Sequence, residues 1–152
     1  MRCSVIAKEL DILTPEEMLC FDIYVLNQAF SRVYKPLLDP LGLTYPQYLI
    51  MTVLWDTTPV SVGQIGCSLG LASSTLTPVL KRLEGQDLIR RSRGGDDERR
   101  VDVDLTEEGR ELAGRASHVA ACVIDATGLD EGALTRLRAQ LAKMRDNLDA
   151  IV

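Results

Sequence analysis

The sequence lacks the closely spaced cysteine and histidine pairs that hold a metal ion. Its four cysteines, at positions 3, 20, 67 and 122, form no CxxC motif, and the one histidine, His118, has no second ligand three or four residues away. These spacings exclude a zinc ribbon and a dithiol redox motif. A chain of 152 residues that is 46% hydrophobic forms a core without a disulfide framework. We therefore expect one domain, mostly reduced thiols, and no metal or other cofactor.

The sequence also shows no hydrophobic pattern typical of a signal peptide or a membrane-spanning segment in its first thirteen residues. The first thirteen residues contain one short apolar run, Cys3 to Ala7, which is followed at once by Lys8, Glu9 and Asp11. That run is too short and too closely followed by charge to be a signal peptide or a membrane span. We expect no membrane association and a cytoplasmic location.

The chain as a whole has no excess of positive charge, although one stretch of it does. The net charge is −5, which argues against a polyanionic partner. Residues 72–100, however, contain seven basic and five acidic side chains, so this stretch carries +2 and the remainder carries −7. Phosphate contacts act within a Debye length, roughly 8–10 Å at physiological salt, so local basicity matters more than the total. Residues 72–100 therefore remain candidates for DNA binding.

The chain begins and ends with helical patterns. Thr14-Pro15-Glu16-Glu17 is a typical helix start, and an apolar stripe at spacings of three and four runs from Leu19 to Leu37, where Pro36 and Pro40 are expected to end the helix. Such a long helix favours packing against a partner subunit. Near the other end, Thr106 is expected to cap a fifth helix to about Ala126, and a sixth is expected from Leu129 to Ile151.

The middle of the chain predicts a helix-turn-helix followed by a β-wing. Thr44 is expected to cap a second helix through Leu54, and Ser61 a third over Val62–Leu69, closed by Gly70. The fourth is expected over Ser73–Gln86, with Pro78 tolerated near the first turn if the helix begins at Ser74 or Thr75. Two short strand patterns, Asp87–Arg91 and Val101–Leu105, flank a polar loop whose Gly94-Gly95 suits a hairpin turn. The predicted fold is mainly α with a small β-wing, in one domain over 1–152: a winged helix-turn-helix at 44–105 flanked by dimerisation helices at 14–38 and 107–151.

Two groups of side chains are suited to contact DNA. The fourth helix offers short hydrogen-bonding groups and then cations, as major-groove reading requires: Ser73, Ser74, Thr75, Thr77, Lys81 and Arg82. On or beside the wing, Arg91, Arg93, Arg99 and Arg100 are suited to the minor groove, with Asp97 placed to orient Arg99. The alternatives are a Ser/Thr cluster that only caps its helix and a solvated charged turn.

Longer motifs carry a resemblance to a known family. The run from Asp96 to Gly109, DDERRVDVDLTEEG, resembles the wing signature of the MarR family of transcription regulators. The resemblance to this family covers nearly the whole chain. Within that family the sequence is similar to the organic hydroperoxide resistance regulators at Leu19–Phe21, Asn27–Phe30, Tyr34–Leu38, Leu43–Tyr48 and Thr75–Glu84. The resemblance implies a homodimer that binds a palindromic operator in double-stranded DNA, represses genes for hydroperoxide detoxification and releases DNA when its sensing cysteine is oxidised. It implies no enzymatic activity.

The resemblance makes Cys20 the redox-sensing thiol, with the tyrosines at 34 and 45 donating hydrogen bonds to it from the other subunit. Helix geometry agrees with the need for a second subunit: Tyr34 follows Cys20 by fourteen residues, about 21 Å along a straight helix at about 1.5 Å per residue. Tyr24, one turn beyond Cys20 on the same face, is a partner within the chain. Tyr48 and Trp55 are assigned to the core.

Other interpretations of the thiols remain open from the sequence. Cys20 is alternatively an inert hydrophobic residue, in which case the chain is a MarR-type repressor that responds to a small aromatic ligand. A thiol peroxidase that uses Cys20 as nucleophile is a third interpretation, although the thioredoxin-like βαβ pattern is absent. Cys122 is the candidate resolving thiol, or else a buried structural cysteine, and Cys67 and Cys3 are weaker candidates.

Overall fold

A computed structural model describes residues 13–93 and 100–151. Within these residues it contains seven α-helices and three strands. Their bounds are α1 Leu19–Leu38, α2 Tyr45–Asp56, β1 Val60–Ser61, α3 Val62–Leu69, α4 Ser73–Gly85, β2 Ile89–Arg93, β3 Val101–Leu105, α5 Glu107–Ala116, α6 Val119–Ala126 and α7 Glu131–Asp149. The predicted mainly helical fold with a small β-wing is confirmed.

The chain forms two compact units. Of the described residues, one unit holds 13–30 and 122–151, and the other holds those between Ser31 and Ala121. The second unit contains the predicted helix-turn-helix and wing, while the first contains most of the segments that were predicted to dimerise. Among the described residues, no helix is long and apolar enough to cross a membrane.

The first helix differs from its prediction at both ends. Thr14 caps only a 3₁₀ turn, Pro15–Glu17, and the extended backbone of Met18 separates that turn from α1. Pro36 does not end α1, because a proline in the last turn removes only the hydrogen bond to the Arg32 carbonyl. The helix ends at Leu38. Pro40 lies in a second 3₁₀ turn, which Gly42 closes at a φ of +68°.

The start of α4 agrees with the predicted Ser73 but leaves Pro78 deeper in the helix than expected. The helix begins at Ser73, with Ala72 as its N-cap, so Pro78 is the sixth helical residue and lies beyond the first turn. The N–H that proline lacks would have bonded the Ser74 carbonyl. The Thr77 hydroxyl donates to the Ser73 carbonyl at 2.8 Å, one turn earlier on the same helix. The prediction that Pro78 is tolerated through a later helix start is wrong.

The sheet contains a strand that the sequence pattern did not predict. Its order is β1-β3-β2, all antiparallel, with Val60 opposite Val103 and Ile89 opposite Leu105. β2 begins two residues later than predicted, because Asp87 has a left-handed φ of 58° that turns the chain out of α4. The predicted Gly94-Gly95 turn lies outside the described residues.

The predicted fifth helix is two helices. α5 ends at Ala116, where the Ser117 hydroxyl donates to the Gly114 carbonyl at 2.8 Å, and α6 restarts at Val119. Asp130 caps α7 by accepting from the Ala133 amide at 2.7 Å, so this helix begins after the predicted Leu129 and ends before Ile151. Both differences come from local side-chain to backbone hydrogen bonds, which compete with helical ones.

The core of the second unit lies between α2, α3, α4, α5 and the sheet. Its fully buried side chains include Leu38, Ile50, Met51, Leu54, Ile65, Leu76, Leu80, Leu83, Ile89, Val103 and Leu112. Trp55 joins α2 to α5 by donating from its indole Nε1 to the Gly109 carbonyl at 2.8 Å. This core fixes one face of α4 and leaves the opposite face exposed.

Candidate DNA-reading and thiol sites

Two glycines, one within α3 and one at its end, shape the connection between α3 and α4. Ser61 caps α3 by accepting from the Gln64 amide at 3.2 Å. Gly70 closes α3 at a φ of +64°, a conformation that favours glycine. A Cβ on Gly66 would lie 2.8 Å from the Leu71 carbonyl oxygen, so glycine is required there as well. The turn therefore delivers the chain directly into α4.

The outer face of α4 carries the predicted DNA-contact residues. Leu76, Leu80 and Leu83 are buried on the inner face. All six of the predicted side chains are exposed: Ser73, Ser74, Thr75, Thr77, Lys81 and Arg82. The hydroxyl of Thr77 is engaged with its own helix backbone. Among the described residues, Lys81 and Arg82 form no ion pair, which leaves both cations available to phosphate.

The arginines of the wing differ from one another in their partners. Arg91 is held by Glu84 of α4 through its Nε at 3.0 Å, its Nη2 and its backbone N–H. Arg100, which directly precedes β3, pairs with Asp102 of that strand at 2.7 Å. The predicted contacts Asp97 and Arg99 lie outside the described residues, as does the side chain of Arg93. The pairing of Glu84 with Arg91 was not predicted from the sequence.

Asp104 of β3 ties the wing to its surroundings. It accepts hydrogen bonds from the Thr58 hydroxyl at 3.0 Å, from Arg110 of α5 at 3.0 Å and from Arg90 of β2 at 3.3 Å. Burial acts to raise the pKa of Asp104, but the hydrogen bonds from Thr58 and the Leu105 amide, with the two arginines, outweigh it and lower that pKa. Asp104 is therefore held ionised in the folded chain.

The predicted thiol partners Tyr34 and Tyr45 lie against each other. Their ring centroids are 4.5 Å apart, and Tyr48 continues the cluster 6.0 Å from Tyr34 and 6.1 Å from Trp55. Burial raises the pKa of Tyr34 to about 12, and its neighbours Tyr45 and Tyr48 and a hydrogen bond with Tyr45 add to the effect. Burial also raises the pKa of Tyr48. The hydroxyl of Tyr34 thus remains protonated across the physiological range.

The thiols in the described residues are all free and exposed. Cys20 is the second residue of α1, and Tyr24, one turn later, is exposed as well. No hydrogen bond to the Cys20 thiol occurs within the described part of the single chain. Cys122 lies on α6 and is exposed, so the alternative of a buried structural Cys122 is wrong for the single chain. Cys3 lies outside the described residues.

Two helices joined by a glycine turn, an exposed polar face on the second helix and a β-wing beside it define a winged helix DNA-binding transcription regulator. A family model described as "Transcriptional regulator SarA/Rot" matches residues 32–115. This chain belongs to the MarR/SarA-type family of winged helix transcription regulators.

Individual relatives support this assignment. The chain is 44% identical over 135 residues to the HTH-type transcriptional regulator TtmR of Methylorubrum extorquens (strain PA1), covering 89% of this chain and 69% of that protein. It is 38% identical over 138 residues to the organic hydroperoxide resistance transcriptional regulator of Bacillus subtilis (strain 168), covering 91% and 94%. Among solved structures, AbfR of Staphylococcus epidermidis has 32% identity and a TM-score of 0.71, covering 87% of this chain and 91% of that one.

These relatives are transcriptional regulators, which confirms the expectation that the chain is not an enzyme and removes the thiol peroxidase interpretation. The chain is a DNA-binding transcriptional regulator of the MarR type.

Proposed function

We propose that the protein is a homodimeric repressor that senses organic hydroperoxides through oxidation of Cys20 and then releases its operator. The observation that carries this proposal is the 4.5 Å contact between Tyr34 and Tyr45. The two hydroxyl groups hydrogen-bond each other in the single chain, and in this proposal both turn to donate to a single anion, with the raised pKa of Tyr34 keeping its hydroxyl a donor. A cysteine thiolate is an anion of the right size for that pair.

The thiolate comes from the other subunit in this proposal. Cys20 and Tyr34 both lie on α1, which runs without interruption from Leu19 to Leu38. Fourteen residues along one helix separate them by about 21 Å, so Tyr34 does not reach the Cys20 of its own chain. Exposed apolar side chains on the first unit support a dimer: they include Phe21, Ile23, Val25 and Leu26 on α1, and Leu137, Leu141 and Leu148 on α7. Exposed large apolar side chains in this number are typical of a chain that buries them against a partner.

The chemistry begins with attack of the Cys20 thiolate on one peroxide oxygen. The O–O bond breaks, the sulfur is oxidised to a sulfenic acid, and the peroxide is reduced to an alcohol after taking up a proton. A second thiol then displaces water from the sulfenic acid and forms a disulfide. Cys122, which is exposed on α6, is our candidate for that resolving thiol.

The relatives supply independent support. The Bacillus subtilis relative is named for organic hydroperoxide resistance. For AbfR, one solved structure is described as reduced and bound to DNA, with 31% identity and a TM-score of 0.74, and another as disulfide formed, with 30% identity and a TM-score of 0.59. A regulator of similar sequence and fold therefore exists in both redox states.

The test is release of DNA by cumene hydroperoxide. We expect one equivalent of peroxide to abolish binding of the wild type to an operator duplex selected from a random pool. Cys20→Ser should bind the duplex as tightly but no longer respond. Cys67→Ser, which also removes an exposed thiol, is the matched control and should respond normally.

Normal release of Cys20→Ser by cumene hydroperoxide would contradict the sensing role and favour a small aromatic effector instead. If Cys20→Ser fails to respond, as expected, mass spectrometry of the oxidised wild type distinguishes a Cys20–Cys122 disulfide from a mixed disulfide with a small thiol.

A further inference from the structure

Arg91 differs from Arg90 and Arg100, the other wing arginines whose side chains are described, because three of its N–H groups donate to one carboxylate. Its Nε donates to Glu84 Oε2 at 3.0 Å, its Nη2 donates to the same oxygen, and its backbone N–H donates to Oε1 at 3.2 Å. Both oxygens of Glu84 are therefore used. We call this pair the Glu84–Arg91 clamp.

The clamp is the most enclosed ion pair of the wing in the described residues. The side chain of Arg91 is 26% exposed, against 67% for Arg90 and 55% for Arg100. The hydrogen bond from Arg91 is the main cause that lowers the pKa of Glu84, so the carboxylate stays ionised and paired. Salt screens a partly enclosed pair less than an exposed one.

The position of the clamp gives it a mechanical consequence. Glu84 lies in the last turn of α4, and Arg91 is the third residue of β2, opposite Val103 of the wing. Between them the chain reverses through the left-handed Asp87. The clamp thus bridges the junction between the helix that faces DNA and the strand that leads into the wing.

We propose that Arg91 is a positioning residue for operator recognition: through Glu84 it holds the wing at a fixed angle to α4, so that helix and wing enter adjacent grooves together. Phosphate attraction falls instead to unpaired cations such as Lys81 and Arg82. Specific binding requires both grooves to be read at once, whereas non-specific binding requires only charge near the backbone. The clamp therefore contributes to the ratio of operator to non-operator affinity.

Arg91→Lys separates a positioning role from a phosphate contact. Lysine keeps the charge but lacks the planar fork, whose Nε and Nη2 both donate to Glu84 Oε2. We expect Arg91→Lys to lower affinity for the selected operator duplex about tenfold, which corresponds to about 1.4 kcal/mol of binding free energy. Affinity for a scrambled duplex should be unchanged.

The salt dependence of operator binding distinguishes a positioning role from a direct phosphate contact. Arg91→Lys and Glu84→Gln should leave the slope of log affinity against log salt unchanged. Lys81→Gln, the control on the same helix, should make that slope shallower by about one, as loss of one phosphate contact does. Circular dichroism and thermal unfolding of each variant verify that the helices remain folded.

The reversed pair Glu84→Arg/Arg91→Glu completes the test by rescue. If the clamp acts by position, the reversed pair should recover most of the operator affinity that either single reversal loses. Wild-type operator affinity in both Arg91→Lys and Glu84→Gln would overturn the proposal. A shallower salt slope in Arg91→Gln, matching that of Lys81→Gln, would also overturn it and assign Arg91 to phosphate.

Discussion

At the scale of a single residue, burial determines what Tyr34 is able to do. Burial raises its pKa to about 12, and the neighbouring Tyr45 and Tyr48 raise it further in the same direction. A tyrosine with an ordinary pKa near 10 already remains protonated at neutral pH, but Tyr34 stays a hydrogen-bond donor even where alkaline conditions favour thiolate. The role proposed for it requires that property.

The pH dependence of Tyr34 is directly measurable. Its folded pKa lies above the unfolded value of about 10, so its contribution to stability is fully present below pH 10 and is lost as the pH rises toward 12. In an absorbance titration of tyrosinate, Tyr34→Phe should remove the step near pH 12. Tyr24→Phe, which removes an exposed tyrosine, should leave that step in place, and a Tyr34→Phe titration that retains it would assign the step to another residue.

The sequence predicts most of the candidate residues but not their partners. The Ser/Thr face of α4 and the two tyrosines were found because their chemistry and motif are visible in the chain. Glu84 was missed as the partner of Arg91, since the two are seven residues apart across a turn whose left-handed Asp87 has no strong sequence signal. A pair that depends on the path of the backbone is defined only by the structure.

At the scale of elements, the first turn of α5 packs against the end of the α4–β2 connection without room for a side chain. A Cβ on Gly109 would lie 2.0 Å from the Leu88 carbonyl oxygen and 3.2 Å from the Leu105 side chain. The Thr106 amide and hydroxyl donate to the carbonyls of Leu88 and Asp87 at 3.2 and 2.6 Å in the same region. The position of α5 therefore depends on a glycine.

Two glycines of α5 give opposite predictions for the same substitution. Gly109→Ala should destabilise the protein by about 3 kcal/mol, because backbone atoms have to move to admit the methyl group. Gly114→Ala should stabilise it by about 0.5–1 kcal/mol, because nothing lies within 4 Å and alanine favours the helix. Urea unfolding measures both, and a neutral Gly109→Ala would show that α5 is able to shift away from β2.

The elements were predictable where local chemistry sets them. Thr44, Ser61 and Thr106 are observed at the N-caps at which the sequence placed them. β1 was not predictable, because two residues form a strand only by pairing with Val103 and Asp102, about forty residues later. The break between α5 and α6 was missed because a single serine hydroxyl at Ser117 competes with the helix.

At the scale of the whole molecule, the net charge of −5 is compatible with DNA binding because the charges are segregated along the chain. The outer face of α4 presents Lys81 and Arg82, whereas Glu84 and the aspartates of β3 are occupied by the wing's own arginines. Glu84, Asp102 and Asp104 are thus neutralised within the protein. Steering by the exposed cations should be strongest at low salt.

The apolar surface of the first unit leads to the last prediction, which concerns the oligomeric state. Leu141 of α7 is 42% exposed, and Leu137 and Leu148 are exposed along the same helix. In a dimer these leucines are covered, and a charge among them costs the assembly its apolar contacts. Leu141→Glu should therefore yield a monomer by analytical ultracentrifugation, while Gln140→Glu, an equal charge at an already polar and exposed position, should remain a dimer.

Loss of the dimer should also lower affinity for the operator, because a palindromic site is bound by two copies on half-sites about one helical turn apart. We expect Leu141→Glu to bind the operator no more tightly than a scrambled duplex, and Gln140→Glu to bind it as the wild type does. A dimeric Leu141→Glu would exclude this face of α7 from the interface. A monomer that retains full operator affinity would contradict the dimeric repressor itself, and with it the delivery of Cys20 to the tyrosine pair of a second subunit.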